Sequence, residues 1–200
     1  MNMTNKRAAI IVAVAALAAS TAQADGIYYG GSLGYLQMES TSDGIGETSG
    51  ESVVVGGLLG YRADIGGGPF WAAELNVDFP VDGEMSYSGG ADSCTDFSPD
   101  WCDIDALARV RGLYGVPVGG GYDLFGSAGL AIVTGVAEDG GGVYADTVGT
   151  GFTAGIGVQR ALAGSGTARL EVIYDSIENT DPDDFEKALE NVGITASFLF

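Results

Sequence analysis

Charged residues stand two or four positions apart inside otherwise apolar stretches of this 200-residue chain: Glu74 and Asp78, then Asp105, Arg109 and Arg111, then Arg169, Glu171 and Asp175, with Arg62 in an earlier stretch. Side chains of a strand alternate between two faces, so this spacing puts the charges on one face and the apolar residues on the other. A charged face that is enclosed must find partners, because a buried charge is costly unless paired. Arginines and carboxylates together offer an ion-pair network, either a static plug or a gate whose pairs exchange partners. Carboxylates without a base offer a cation site. Catalysis has little support. The chain has no histidine, which removes histidine-based hydrolysis and most zinc sites. Gly30-Gly31 and Gly119-Gly120-Gly121 have neither the strand–helix context nor the lysine of a phosphate loop, and read as packing and turn glycines. We expect no enzyme.

Eight strand-like segments carry this pattern, near 26–39, 52–64, 70–79, 104–116, 122–136, 147–161, 167–177 and 190–200. The spacers at 65–69, 117–121 and 162–166 are short and rich in Gly or Pro, as tight turns require. Those at 40–51, 80–103, 137–146 and 178–189 are longer and acidic. Three short turns on one side and four long loops on the other predict an all-β fold, an eight-stranded antiparallel up-and-down transmembrane barrel. The apolar face carries almost no charge and has aromatics near the strand ends: Tyr29, Tyr35, Tyr61, Trp71, Phe79, Tyr114, Tyr174, Phe198 and Phe200. A water-soluble barrel would turn its apolar face inward. Here the polar face is expected inside and the apolar face toward lipid.

The first residues read as an address. Lys6 and Arg7 precede an apolar run, Ala8 to Ala19, that is too short for a comfortable membrane helix, and Ala22-Gln23-Ala24 is a cleavage triplet. We expect a cleaved signal peptide over 1–24 and one barrel domain over 25–200. Eight basic residues stand against 27 acidic ones, a net charge of −19. Without Lys6 and Arg7 the balance is 6 − 27 = −21. That charge would repel nucleic acid. Cys94 and Cys102 are the two cysteines. In an oxidising compartment they are expected to bridge, stabilising by roughly 2.5 kcal/mol in the chain-entropy view.

At this point the sequence resembles a known family. Gly26-Ile-Tyr-Tyr-Gly-Gly-Ser-Leu-Gly-Tyr35, Gly56-Gly-Leu-Leu-Gly-Tyr-Arg62, Ala73-Glu-Leu-Asn76, Arg169-Leu-Glu-Val-Ile-Tyr174 and the terminal Phe200 are similar, in order and spacing, to the small outer-membrane β-barrel proteins of the OmpA-domain, OmpX and opacity type. The resemblance implies a bacterial outer-membrane location, an eight-stranded barrel, Phe200 as part of the signal read by the barrel-assembly machinery, and passage by way of periplasmic chaperones. No counterpart of the periplasmic peptidoglycan-binding domain of full-length OmpA is expected, so the resemblance does not imply cell-wall tethering.

The interior of an eight-stranded barrel is just wide enough to be filled by side chains. With the short turns as the bottom, Arg62, Arg111, Asp123 and Arg169 fall low, Glu74, Arg109 and Glu171 midway, and Asp78, Asp105 and Asp175 near the top. Symmetric pairing around the 80–103 loop sets Phe79 against Ile104, Glu74 against Arg109 and Asp78 against Asp105. Arg62, Glu74, Arg109, Arg111, Arg169 and Glu171 are thus expected as a lumen ion-pair network, a plug rather than a gate. Asp78, Asp105 and Asp175 form a candidate cation site at a rim that is otherwise water-filled. No cofactor is expected beyond weak Ca²⁺ or Mg²⁺ at the acidic loops, where such ions could bridge to lipopolysaccharide phosphates. The NTDPDDFE run at 179–186 lacks the order of an EF-hand. The expected role of this monomeric barrel is membrane integrity or surface interaction. The alternative is a narrow, cation-preferring pore for small solutes.

Overall fold

A computed structural model describes residues 26–42, 46–87, 101–138, 144–162, 166–180 and 186–200. The proposed signal peptide and the residues Cys94, Asp181, Asp183 and Asp184 lie outside them, as does the side chain of Cys102, so the expected disulfide falls outside the described residues.

Among these residues the chain forms β1 (Gly26–Ser42), β2 (Gly46–Asp64), β3 (Phe70–Pro80), the two-residue β4 (Ser86–Tyr87), β5 (Trp101–Gly119), β6 (Tyr122–Glu138), β7 (Tyr144–Ala161), β8 (Thr167–Thr180) and β9 (Glu186–Leu199). No helix long and apolar enough to cross a membrane occurs among them. The eight long strands pair antiparallel in the order β1-β9-β8-β7-β6-β5-β3-β2, and β1 also pairs β2, which closes the barrel. Following paired residues once around, from Gly26 through Arg62, Ala72, Leu113, Ser127, Gly155, Ile173 and Gly193, returns to β1 at Leu36. The stagger is therefore ten residues (36 − 26). Eight strands with that stagger tilt by about 40° from the barrel axis.

The short turns form where glycine permits left-handed backbone. Gly66 and Gly67 take φ of 58° and 85°, and Gly119 to Gly121 take 94°, 64° and 78°, values that a Cβ disfavours. The last strand is tied to the first at its end. Tyr29 N–H donates to Phe200 O (3.2 Å), Phe200 N–H donates to Tyr29 O (2.8 Å), and the two rings stack with centroids 5.8 Å apart.

The apolar face is outside, as the alternation requires. Leu33, Leu59, Leu75, Val110, Leu130, Phe152, Ile156, Leu170 and Ile194 are exposed, Leu130 to 66%. A girdle of Tyr61, Trp71, Tyr114 and Phe198 marks the lower edge of this band; Tyr35 and Phe79 mark the upper. The strands run further toward the long loops than the alternation alone suggests. Ser40 pairs with Thr48 and Ser42 with Gly46, so β1 and β2 continue as a ladder through polar sequence. Backbone pairing carries this extension.

Gly60 faces inward beneath Tyr28, where a Cβ would come within 2.3 Å of the ring. Overpacking of this kind typically costs about 1–3 kcal/mol. Gly60→Val should therefore lower the temperature at which the unheated, compact gel band converts to the slower boiled form.

Candidate functional site: the charged interior of the barrel

Inward positions sort into three layers by their register along the tilted strands. The lowest is apolar: Tyr28, Leu58, Phe70, Ala72, Leu113, Phe125 and Leu199 form one buried cluster. The highest is also apolar, built by Leu36, Met38, Val54, Met85, Trp101, Ile104, Leu107, Ala131, Val133, Ile177 and Leu189. The charges lie between. Glu74, Asp78, Arg109, Arg111, Arg169, Glu171 and Asp175 are all buried, Arg109 and Asp175 completely.

Two clusters fill the middle layer. In the upper one Arg109 holds Asp175 through two parallel bonds, Nε to Oδ1 at 2.9 Å and Nη2 to Oδ2 at 2.7 Å. Its remaining terminal nitrogen donates to Asp78 Oδ2 (2.5 Å) and Asn76 Oδ1 (2.9 Å). Asp78 Oδ1 also accepts from Ser32 Oγ at 3.1 Å. In the lower cluster Arg111 donates to both oxygens of Glu171 (2.8 and 3.1 Å) and to Glu74 Oε1 (2.5 Å). Glu74 Oε2 accepts from Arg169 (2.5 Å) and from the Tyr28 hydroxyl (2.9 Å). Ser127 donates to Glu171 Oε1 at 2.7 Å, and Arg169 leans on Gln159 Oε1 (3.3 and 3.2 Å) and over the Phe125 ring, 5.0 Å from its centroid. Arg111 and Arg169 thus each meet two acceptor groups and Arg109 meets three, and the two-bonded Arg109–Asp175 and Arg111–Glu171 pairs have the geometry in which arginine binds carboxylates most strongly.

Arg62 stands apart from both clusters. It lies at the lower end, bonded to Asp64 (2.9 Å) and Asp123 (3.5 Å), with its guanidinium 3.8 Å above the Phe70 ring. The other residues expected in the network do meet, with different partners. Glu74 lies opposite Arg111, and Arg109 opposite Asn76. The β3–β5 register is thus two residues away from symmetric pairing. A two-residue slip keeps every side chain on its face, so alternation is blind to it.

The expected trio of Asp78, Asp105 and Asp175 is not assembled. β5 carries irregularities between Trp101 and Asp103 and between Ile104 and Ala106. The second turns Asp105 outward and Ile104 inward. The extra residue of a bulge reverses alternation beyond it, which two-residue periodicity does not reveal. Asp78 and Asp175 are bridged by Arg109 and lie below the apolar upper layer, not at an open rim. Among the described residues no group of three or more Cys, Asp or Glu is placed to hold a metal ion. Acid near the upper end lies instead on the outer wall. Glu39 pairs across the β1–β9 seam with Glu190, Tyr35 donates its hydroxyl to Glu51, and Tyr174 donates to Glu190 at 3.0 Å.

Sequence reasoning did not single out Tyr28, Ser32, Asn76, Ser127 and Gln159 as hydrogen-bond partners. Their inward parity was available; which carboxylate each would reach was not. It also did not single out Met85 and Trp101, which belong to a segment that reads as loop.

Removing one member of a buried ion cluster leaves the others uncompensated, typically at about 3–5 kcal/mol. Arg109→Met should destabilise the folded barrel by that order in urea titrations of reconstituted protein. Adding Asp78→Asn and Asp175→Asn to the same chain should recover most of the loss.

Residues 8–198 match the family model for the outer membrane protein beta-barrel domain. Solved structures with a similar fold include Neisserial surface protein A, 14% identical, covering 87% of this chain and 97% of that one with a TM-score of 0.52. Ail, the attachment invasion locus protein of Yersinia pestis, is 15% identical, with 87% and 99% coverage and a TM-score of 0.46. The N-terminal beta-barrel domain of Pseudomonas aeruginosa OprF is 13% identical, with 82% and 96% coverage and a TM-score of 0.40. No curated protein matches the sequence. With a family match across nearly all of its length and a closed, lipid-faced barrel of eight long strands, the chain belongs to the outer membrane protein beta-barrel domain family.

Proposed function

We propose that this protein serves the outer membrane as a closed barrel with a structural and surface-interaction role, not as a pore. The observation that carries the reading is the stacking of the interior: an ionic layer in which every arginine is paired with carboxylate, held between two apolar layers. Water or an ion moving along the axis would have to pass Phe70, Phe125 and Leu199, then Arg111 and Arg109 with their carboxylates, then Trp101, Leu107 and Leu189. Arginines tied to two carboxylates each have no low-cost alternative position, since moving one strands charges in a low-dielectric interior. The cation-preferring pore rested on an acidic mouth. Asp78 and Asp175 are both held by Arg109 beneath the apolar upper layer, and Asp105 faces outward.

The outward Glu39, Glu51 and Glu190 lie just above the upper aromatic edge. That height suits lipopolysaccharide phosphates, with Mg²⁺ or Ca²⁺ between the two anionic partners, as charge balance demands. Phosphates at a lipid headgroup are the natural counterparts for bridged carboxylates.

Purified protein in planar bilayers should show no steady conductance over a wide voltage range; stable, reproducible channels would sink the closed-barrel reading. For the surface role, replacing Glu39, Glu51 and Glu190 together by glutamine should reduce the Mg²⁺-dependent part of lipopolysaccharide binding while leaving the gel shift unchanged. Equal Mg²⁺ dependence in both proteins would remove that role.

A further inference from the structure

The ionic layer does not balance. Among the described residues, the three buried guanidiniums of Arg109, Arg111 and Arg169 face the four buried carboxyl groups of Glu74, Asp78, Glu171 and Asp175. The lower cluster is even, with Arg111 and Arg169 set against Glu74 and Glu171. The excess belongs to the upper cluster, where Arg109 alone meets both Asp78 and Asp175. None of these three side chains is more than 1% exposed, and apolar layers lie above and below them. One negative charge is thus left without a counterion where bulk water does not reach it. An uncompensated buried charge is costly.

The hydrogen bonds leave no oxygen of this pair to carry a proton. Asp175 Oδ1 and Oδ2 accept from Arg109 Nε and Nη2 at 2.9 and 2.7 Å. Asp78 Oδ2 accepts from Arg109 Nη1, and Asp78 Oδ1 accepts from Ser32 Oγ at 3.1 Å and from Asn76 Nδ2 at 3.3 Å. The Asn76 amide cannot be reversed to accept, because its Oδ1 already takes a bond from Arg109 at 2.9 Å. A protonated carboxyl oxygen donates, and each of these four oxygens faces a donor.

Two oxygens beside Asp175 lack partners. In the register, Asp175 lies between Thr153 of β7 and Asn191 of β9. Side chains at such directly facing positions have Cβ atoms about 4.5–5.5 Å apart. Thr153 and Asn191 are each 1% exposed, and neither Thr153 Oγ1 nor Asn191 Oδ1 has a hydrogen-bond partner among the described residues. An amide oxygen only accepts, and a hydroxyl oxygen also offers lone pairs. Buried oxygens of this kind are normally satisfied. Arg111 Nε, also without a partner, is a donor; it lies beyond Gly129 in the same register row and belongs to the even lower cluster.

We propose that the upper cluster holds one monovalent alkali cation, bound by the Asp175 carboxylate together with Thr153 Oγ1 and Asn191 Oδ1. One such ion supplies the missing charge and the missing partners at once. Water alone would serve the two oxygens and leave the charge. A divalent ion would turn the deficit into an equal excess. Carboxylate, hydroxyl and amide oxygens are hard ligands, the kind that bind such ions. Asp105 has no part in this site, which differs from the aspartate trio suggested by the alternation. The ion enters as the barrel closes, because the apolar layers bar the axis afterwards. The site is internal and does not depend on the surface role.

Urea unfolding of the protein reconstituted in phosphatidylcholine vesicles tests the site. NaCl, or KCl in a parallel series, replaces N-methylglucamine chloride at constant ionic strength, a control cation too large for the interior. The midpoint should rise with the logarithm of alkali-ion concentration, with a slope equal to one ion taken up per folded chain. Asp78→Asn removes the excess charge and should make the midpoint independent of the ion. Ions gathered by exposed acids, Glu39, Glu51 and Glu190 included, act equally on both proteins. A wild-type midpoint that stays flat in both Na⁺ and K⁺ overturns the site, as does an equal rise in wild type and Asp78→Asn. Should Asp78→Asn fail to fold by gel shift, Thr153→Val decides. It keeps the shape and removes one ligand, so several-fold more alkali ion should be needed for the same shift; an unchanged requirement overturns the site.

Discussion

Closure of the backbone ladder is the constraint on which the rest of this molecule depends. In lipid no water is available to satisfy an exposed N–H or C=O, so a sheet that spans the bilayer must have no free edge. Here β1 meets both β2 and β9, and Phe200 completes the seam with two bonds to Tyr29. The number of strands and the ten-residue stagger that closure imposes set the width of the interior. Everything found inside is a response to that width.

A lumen this narrow has to be filled, and the filling must come from alternate residues of strands whose other face is lipid-bound. Wholly apolar filling would make both faces greasy and leave little to decide which way each strand faces. The chain uses charge in the middle and apolar side chains at both ends. Burying seven charge-bearing side chains is expensive, and the expense is offset only because each guanidinium meets at least one carboxylate and Ser32, Asn76, Ser127, Tyr28 and Gln159 supply further bonds. Glycines make room for this. A Cβ at Gly56 would stand 1.9 Å from Asp78 Oδ1, and one at Gly155 would stand 2.6 Å from both Glu171 Oε1 and Ser127 Oγ. The apolar layers above and below keep water from competing for the same bonds.

Closure is least complete between β3 and β5, where β3 stops at Pro80 while β2 and β5 run on. Symmetric pairing around the 80–103 loop is the simplest expectation, and it fails there for a physical reason. A long loop imposes no turn geometry, so nothing local sets the register. The pairing is decided by how the strands pack across the lumen. Arg111 lies between Glu74 and Glu171, and Arg109 between Asp78 and Asp175, only when β3 and β5 are offset as found. The bulge at Asp105 has a comparable logic. An aspartate facing the apolar upper layer would be buried without a partner; turned outward, it meets solvent above the lipid band, and Ile104 takes the inner place.

The sequence by itself determined the class of fold, the eight long strands, the face most residues of their central segments present, the short-turn side, and, Asp105 excepted, the identity of the charges that point inward. These follow from period-two alternation and from glycine in tight turns, which are local properties that no distant contact needs to confirm. The tertiary structure alone decided which arginine holds which carboxylate, that Asp78 and Asp175 share Arg109, that Asp105 leaves the interior, and that Met85 and Trp101 cap it from what reads as loop. Those outcomes depend on stagger, bulges and contacts across the barrel. All of these join residues far apart in the chain, and a slip of two residues changes every one of them without altering the pattern that the sequence displays.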